Sequence, residues 1–401
     1  MKVLVINCGS SSLKYQLFEM KNETVLAKGG VERIGMETAI LTHRPHGKEE
    51  VKKVAEILEH TEAIRQVLQI LVDPKYGVLQ SIKELNAIGH RVVHGGETFS
   101  DSVLITDDVK QAIRGCFELA PLHNPPNLKG ILAAEDILPN VPQVAVFDTA
   151  FHQTMPKTSY LYALPKALYR RHKVRRYGFH GTSHKYVSER LQELMGVPLE
   201  ELKVISCHIG NGASITAIKN GKSMDTSMGM TPLEGLIMGT RSGDIDPAIV
   251  PFTMAKEDLT IGEVSSMLNK HSGLYGISGI SSDMREIEQA MFDGNERAKL
   301  AFDMYIYRIV KYVGAYTAAM NGLDALIFTA GVGENSVLVR KKVCESLNYL
   351  GVELDDEKNG AHDKKERMIS GDNSKVKVFV IPTNEELMIA RDTVRIAKLK
   401  K

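Results

Sequence analysis

Residues 3–20, VLVINCGSSSLKYQLFEM, govern how the rest of the chain is read. A β-branched run at 3–6 leads into Gly9-Ser10-Ser11-Ser12, after which Leu13, Tyr15 and Leu17 alternate with polar neighbours. Apolar residues at period two on either side of a small polar turn predict strand, turn, strand. The pattern returns at 204–218, VISCHIGNGASITAI, where Gly210-Asn211-Gly212-Ala213 is the turn and Asn220-Gly221 then marks a two-residue hairpin. Two such units suggest an internal duplication, two α/β domains of related fold each presenting a small-residue turn, with two unrelated hairpins as the alternative reading of so short a match.

Other apolar runs end in polar residues. Residues 143–147 stop at Asp148, 324–329 at Gly331-Val332-Gly333-Glu334-Asn335, and 376–381 at Pro382-Thr383-Asn384-Glu385. Between them lie helical stretches, notably 296–321, and a last one at 385–398 for which Thr383 and Glu386 have capping-box spacing. Strands alternating with helices, with polar residues at the strand ends, predict ligand binding at those ends. The chain has 401 residues, beyond the roughly 250–300 at which single cores stop growing. Two domains are therefore expected, with a boundary near residue 150 where Asp148 closes one strand set.

Fifty basic and forty-nine acidic residues leave a net charge of +1, which argues against a nucleic-acid or anionic-membrane partner. The cysteines (Cys8, Cys116, Cys207, Cys344) are far apart, form no CxxC pair, and read as reduced thiols of a cytoplasmic protein. The N-terminal run lacks a cleavage-site pattern and reads as a strand, not a signal peptide. No apolar stretch approaches the roughly 18–20 residues of a membrane helix.

Neither a Walker A nor a complete GxGxxG motif is present. Three small-residue turns, 9–12, 210–213 and 331–335, can surround phosphate oxygens with backbone N–H groups, although glycine in any one of them also serves simple turn geometry. Arg91 in His90-Arg91-Val92-Val93-His94 and Arg241 in Gly239-Thr240-Arg241-Ser242-Gly243 suit bidentate recognition of carboxylate or phosphate. The His90/His94 and His180/His184 spacings lack the glutamate and third ligand of a zinc site and read as structural histidines or phosphate contacts. Isolated acids at strand ends, Asp148 and Glu385, fit Mg²⁺, which takes few carboxylates plus water and substrate phosphates. Read alone, these residues describe a Mg²⁺–nucleotide-dependent phosphotransferase.

The strings GHRVVHGGE (89–97), APLHNPPN (120–127), VFDTAFHQTMP (146–156), RRYGFHGTSHKYV (175–187), CHIGNGAS (207–214), DTSMGMTPLEGLIMGTRSGDIDPA (225–248), FTAGVGEN (328–335) and PTNEEL (382–387) resemble the acetokinase family over nearly the whole chain. The resemblance implies two related ribonuclease H-like domains of the actin/Hsp70/sugar kinase superfold with a nucleotide cleft between them. Residues 1–150 plus 386–401 would form the N-terminal domain, and 151–385 the nucleotide-binding one. It implies acetate kinase activity: reversible, Mg²⁺-dependent (Mn²⁺ as substitute) transfer of a phosphoryl group from ATP to acetate, giving acetyl phosphate and ADP, in a cytoplasmic homodimer.

By the same resemblance, Asn7 and Glu385 hold the metal, and Ser10, Ser12 and Lys14 lie on the first phosphate turn. Asp148, Arg91, His180 and Arg241 are catalytic. His208, Gly210, Asn211 and Gly212 contact phosphates, and Asp283, Met284, Arg285, Gly331, Val332, Gly333, Glu334 and Asn335 bind the adenosine side. Arg91, Val93, Leu122, Phe179 and Pro232 form the acetate site. Cys8, beside Asn7, stands where relatives often carry a smaller or hydroxyl residue, and is expected to add oxidation sensitivity. A propionate or butyrate kinase is the nearest alternative, and an actin-like or chaperone-like nucleotide switch the more distant one.

Overall fold

The computed structural model describes residues 1–361, 363 and 365–398. The chain divides into two compact units, Met1–Gln153 with the C-terminal segment from Asn384, and Thr154–Thr383. Residues 399–401, assigned from the sequence to the first domain, lie outside the described residues.

The first unit is built on an eight-stranded mixed sheet. Its strands are β1 (Lys2–Cys8), β2 (Ser12–Glu19), β3 (Thr24–Glu32), β4 (Met36–Pro45), β5 (Val51–Ile57), β6 (Leu85–Val92), β7 (Val103–Leu104) and β8 (Gln143–Phe147), in the order β5-β4-β3-β2-β1-β6-β8-β7. β1 runs parallel to β6 and β6 to β8; the other pairs are antiparallel. Leu13, Tyr15 and Leu17 point into a core with Leu4, Ile6 and the apolar stripe Ile64, Val67, Leu68 and Leu71 of the helix His60–Leu71. Each such side chain contributes about 1.5–3 kcal/mol on burial. The sheet's other side receives the last helix, Glu385–Ile396. It approaches β6 closely because residue 89 is glycine: a Cβ there would lie 2.3 Å from Thr393 Oγ1.

The second unit carries a six-stranded mixed sheet: β9 (Lys203–Ile209), β10 (Ala213–Lys219), β11 (Lys222–Thr226), β12 (Ala325–Thr329), β13 (Arg367–Met368) and β14 (Lys377–Val380), ordered β11-β10-β9-β12-β14-β13. Here too the first strand pairs antiparallel with the second and parallel with a later one. The order β11-β10-β9-β12-β14 repeats β3-β2-β1-β6-β8 of the first unit, so the duplicated hairpins 3–20 and 204–218 occupy equivalent places. The fold class is α/β as read from the sequence.

Two local readings are corrected. Asn384, not Thr383, caps the last helix, its Oδ1 accepting from Leu387 N at 3.1 Å. Thr383 Oγ1 is instead hydrogen-bonded to Ser183 Oγ at 2.8 Å. The third small-residue turn is a short helix, Ala330–Asn335, entered through Ala330 at φ +64° and held by Glu334 Oε1 accepting from Ala330 N at 2.8 Å. A side chain that folds back onto its own helix start closes it, a choice the glycine spacing does not reveal.

Candidate active site

In the first unit, parallel pairing places the ends of β1, β6 and β8 side by side and brings Asn7, Arg91 and Asp148 together. Arg91 grips Asp148 as a fork: Nε donates to Oδ1 at 3.2 Å and Nη2 to Oδ2 at 2.6 Å. Its Nη1 donates to Asn7 Oδ1 at 3.4 Å. Asp148 is 2 % exposed, so this is a buried ion pair satisfied on both carboxylate oxygens. Burial works against the charge of Arg91, but Asp148 and Glu385 outweigh it and hold the guanidinium's pKa above its ordinary value. Burial and the negative Asp148 push the Glu385 carboxyl up, against the pull of Arg91.

Glu385 accepts no side-chain hydrogen bond among the described residues, and Asn7 offers a second oxygen. These hard oxygens, beside Arg91, fit Mg²⁺ or Mn²⁺ completed by water and phosphate. Among the described residues no three His, Cys, Asp or Glu side chains form a self-sufficient metal cage. A cavity of about 590 Å³ is lined by Asn7, Ser12, Lys14, Arg91 and Glu385. Ser10, on the same turn as Ser12, is exposed.

The loop after β6 is pegged by two asparagines that sequence reasoning quoted without a role. Asn127 Oδ1 accepts from Val93 N and its Nδ2 donates to Cys8 O, while Asn124 brackets the backbone of His94. Val93 is buried, whereas Leu122 is 71 % exposed. Cys8 is buried against Gly130, and burial pushes its thiol to about 12, so the thiolate needed for oxidation is not populated. The expected oxidation sensitivity is withdrawn. His90 is a structural histidine: it is hydrogen-bonded to Gln143 at 2.6 Å, and burial depresses its pKa to about 4.

In the second unit, His180 stands in the left-handed region at φ +56° at the N-terminus of the helix Gly181–Met195. A non-glycine residue held there is a local strain that the surroundings must enforce. They do so through hydroxyls. Ser214 Oγ lies 2.9 Å from His180 Nδ1 and 2.8 Å from His184 Nε2, and His184 Nδ1 lies 2.9 Å from Ser206 Oγ. Having one proton, Ser214 can donate to at most one of the two imidazoles and holds both rings in place. His208 stacks on His180 with ring centroids 4.0 Å apart and is bonded to Ser183 at 2.8 Å.

A Cβ on Gly212 would sit 3.3 Å from Arg241 Nη1 and 3.8 Å from His180 Nε2, so the turn, the arginine and the histidine converge. Arg241 meets no carboxylate among the described residues; its Nη1 reaches Pro232 O at 3.4 Å and Met238 Sδ at 3.7 Å. Burial alone lowers its pKa. A guanidinium with no counter-ion among the described residues, beside a glycine turn, can receive an anion.

A cavity of about 720 Å³ beside this cluster is lined by Gly210, Asn211, Asp283, Met284, Arg285, Gly331, Val332 and Asn335, with Glu288 and Ser336, which the motif reading missed. Gly333 and Glu334 do not line it. Their carbonyls accept from the buried Arg340 Nη1 at 3.0 and 2.9 Å, and Arg340 is fastened in turn to Asn359. Phe179 is buried, and Pro232 contributes its carbonyl to Arg241.

Residues 2–391 match the Acetokinase family. An acetate kinase of Symbiobacterium thermophilum is 60 % identical over 398 residues, covering 99 % of this chain and 100 % of that protein. The crystal structure of Porphyromonas gingivalis acetate kinase superposes with a TM-score of 0.96 at 54 % identity, over 98 % of this chain and 99 % of that one. A propionate kinase from Francisella tularensis gives 0.91 at 44 % identity, over 98 % and 99 %.

Proposed function

The chain belongs to the acetokinase family, and from that premise we propose that it phosphorylates acetate with ATP: ATP + acetate ⇌ ADP + acetyl phosphate. The observation that carries the phosphoryl-transfer chemistry is Arg241, a guanidinium with no carboxylate partner among the described residues that converges with His180 on the 210–212 turn. A carboxylate is already a competent nucleophile at neutral pH, so direct in-line transfer needs positioning and charge neutralisation rather than a strong base.

In this reading Arg241 and His180 neutralise charge on the phosphoryl group in flight. Arg91, aimed by Asp148, orients the acetate carboxylate, with the buried Val93 of the same unit beside the methyl. Ser10, Ser12 and Lys14 lie along the first phosphate turn, and His208 and 210–212 along the second. Asn7 and Glu385 would hold Mg²⁺, or Mn²⁺, which when bound offsets the negative charge of the nucleotide phosphates.

Initial rates with MgATP and acetate, propionate or butyrate, trapping the acyl phosphate as its hydroxamate, test the proposal. Acetate should give the highest kcat/KM. One methylene is worth only about 1–3 kcal/mol, so propionate, the substrate class named for the Francisella neighbour, should react more slowly but measurably. ATP bound without acyl phosphate from any of the three would overturn the proposal and restore the nucleotide switch.

Ser214→Ala should lower kcat by about 10- to 100-fold with little change in KM for ATP, because His180 loses the hydroxyl that fixes its ring. Unchanged kcat in steady-state assays would remove His180 orientation from the mechanism. A cytoplasmic homodimer completes the proposal. Among the described residues no helix is long and apolar enough to cross a membrane, and sedimentation should give about twice 44.3 kDa.

A further inference from the structure

Among the described residues lining the 720 Å³ cavity of the second unit is one carboxylate whose hydrogen bonding is incomplete. Asp283 is not that group. Its Oδ1 accepts from Arg285 N at 2.9 Å, capping the helix Met284–Phe292, and its two oxygens take Arg285 Nε and Nη2 at 2.5–3.2 Å. Glu288 lies on the same helix and faces the same cavity. Its Oε1 accepts from Ser336 Oγ at 2.5 Å, and Ser336 Oγ itself accepts from Val339 N at 3.0 Å. The backbone N–H thus occupies an acceptor site on the hydroxyl, whose single proton goes to Glu288 and fixes the carboxylate's direction. Glu288 makes no other hydrogen bond and no ion pair among the described residues. Burial raises its pKa, as expected of a half-buried carboxyl with no cation beside it among the described residues.

A nucleotide has two chemically opposite ends. Its phosphates are anionic acceptors, which a carboxylate repels and the N–H-rich 210–212 turn attracts. Its nucleoside carries donors: the exocyclic amine of the base and the ribose hydroxyls. We propose, resting on the ATP-binding reading above, that Glu288, aimed by Ser336, is the acceptor that recognises the nucleoside and sets the nucleotide preference of the enzyme. An acceptor left unpaired by an analogue lacking the donor costs far more than an apolar mismatch, so one such residue suffices for selection.

The test compares wild type, Glu288→Gln and Glu288→Ala with ATP, purine riboside triphosphate (no exocyclic amine) and 2′-deoxyATP at saturating acetate. Glu288→Ala should raise KM for ATP about 10- to 100-fold, the worth of a hydrogen bond to a charged group, with kcat within about twofold. Wild type should discriminate against one analogue, and Glu288→Ala should lose that discrimination. Loss against the purine riboside identifies the base amine as the donor, and loss against 2′-deoxyATP the ribose. Glu288→Gln, which keeps an acceptor oxygen, should fall between. Gly331→Phe separates this inference from the reading beneath it, because a Cβ at 331 meets nothing within 4 Å and the ring would fill the cavity. A raised KM for ATP in Gly331→Phe, with none in Glu288→Ala, would overturn the role of Glu288 alone. No change in either would overturn nucleotide binding in this cavity as well.

Discussion

Replacing Arg241 by alanine should lower kcat by about 10³- to 10⁵-fold, the range set by a missing arginine finger, while KM for ATP changes by less than about tenfold. At about 1.4 kcal/mol per factor of ten this is roughly 4–7 kcal/mol of transition-state stabilisation. The size follows from the surroundings of the guanidinium. It is largely withdrawn from water, and its hydrogen-bond partners among the described residues are a carbonyl and a thioether, so no described carboxylate consumes its field. Such a charge contributes little to folding, since its desolvation is not offset by a partner in the free protein. Arg241→Ala should therefore melt at or above the wild-type temperature, which separates lost chemistry from lost structure. Arg241→Lys should recover only part of the rate, because an ammonium lacks the planar fork. A large rise in KM with kcat intact would move Arg241 into ground-state binding.

What the sequence made legible was whatever is local. Strand-turn-strand at 3–20 and 204–218 needs only neighbours at period two, and both hairpins are present in register. The long helix Glu296–Met320 and its left-handed stop at Asn321 are likewise written in one stretch of chain. Partnerships set by tertiary register were not legible. Arg91 and Asp148 are 57 residues apart and meet because β6 and β8 run parallel; Glu288 and Ser336 are 48 apart and have no shared motif. The His180–Ser214–His184 relay was half visible, as a histidine pair at helical spacing. The serine between the rings comes from β10, which no periodicity connects to that helix. Thr383 shows the reverse error: a correct local cap pattern lost to a neighbouring asparagine, because the threonine hydroxyl had a partner elsewhere.

Asp148→Asn should lower kcat by about 10²-fold or more, the scale of effect when a reacting group is misplaced by an ångström. Both carboxylate oxygens accept from Arg91, so in this reading the residue acts by aiming that arginine. Asparagine keeps the shape but surrenders the charge and one of the two accepted hydrogen bonds. Stability should fall as well, by up to about 3–5 kcal/mol for a broken buried pair, and by less here because Arg91 is 24 % exposed and can be partly rehydrated. The pH–rate profile distinguishes the two roles. An orienting aspartate predicts the same profile scaled down, whereas a general base predicts that the acid limb reporting its ionisation disappears in the variant. A double-mutant cycle provides the independent check. If the ion pair works as one unit, Arg91→Ala combined with Asp148→Asn should be no slower than the slower single variant, because the second change removes an interaction already lost. Losses that simply multiply would mean that Asp148 has business with the substrate apart from Arg91.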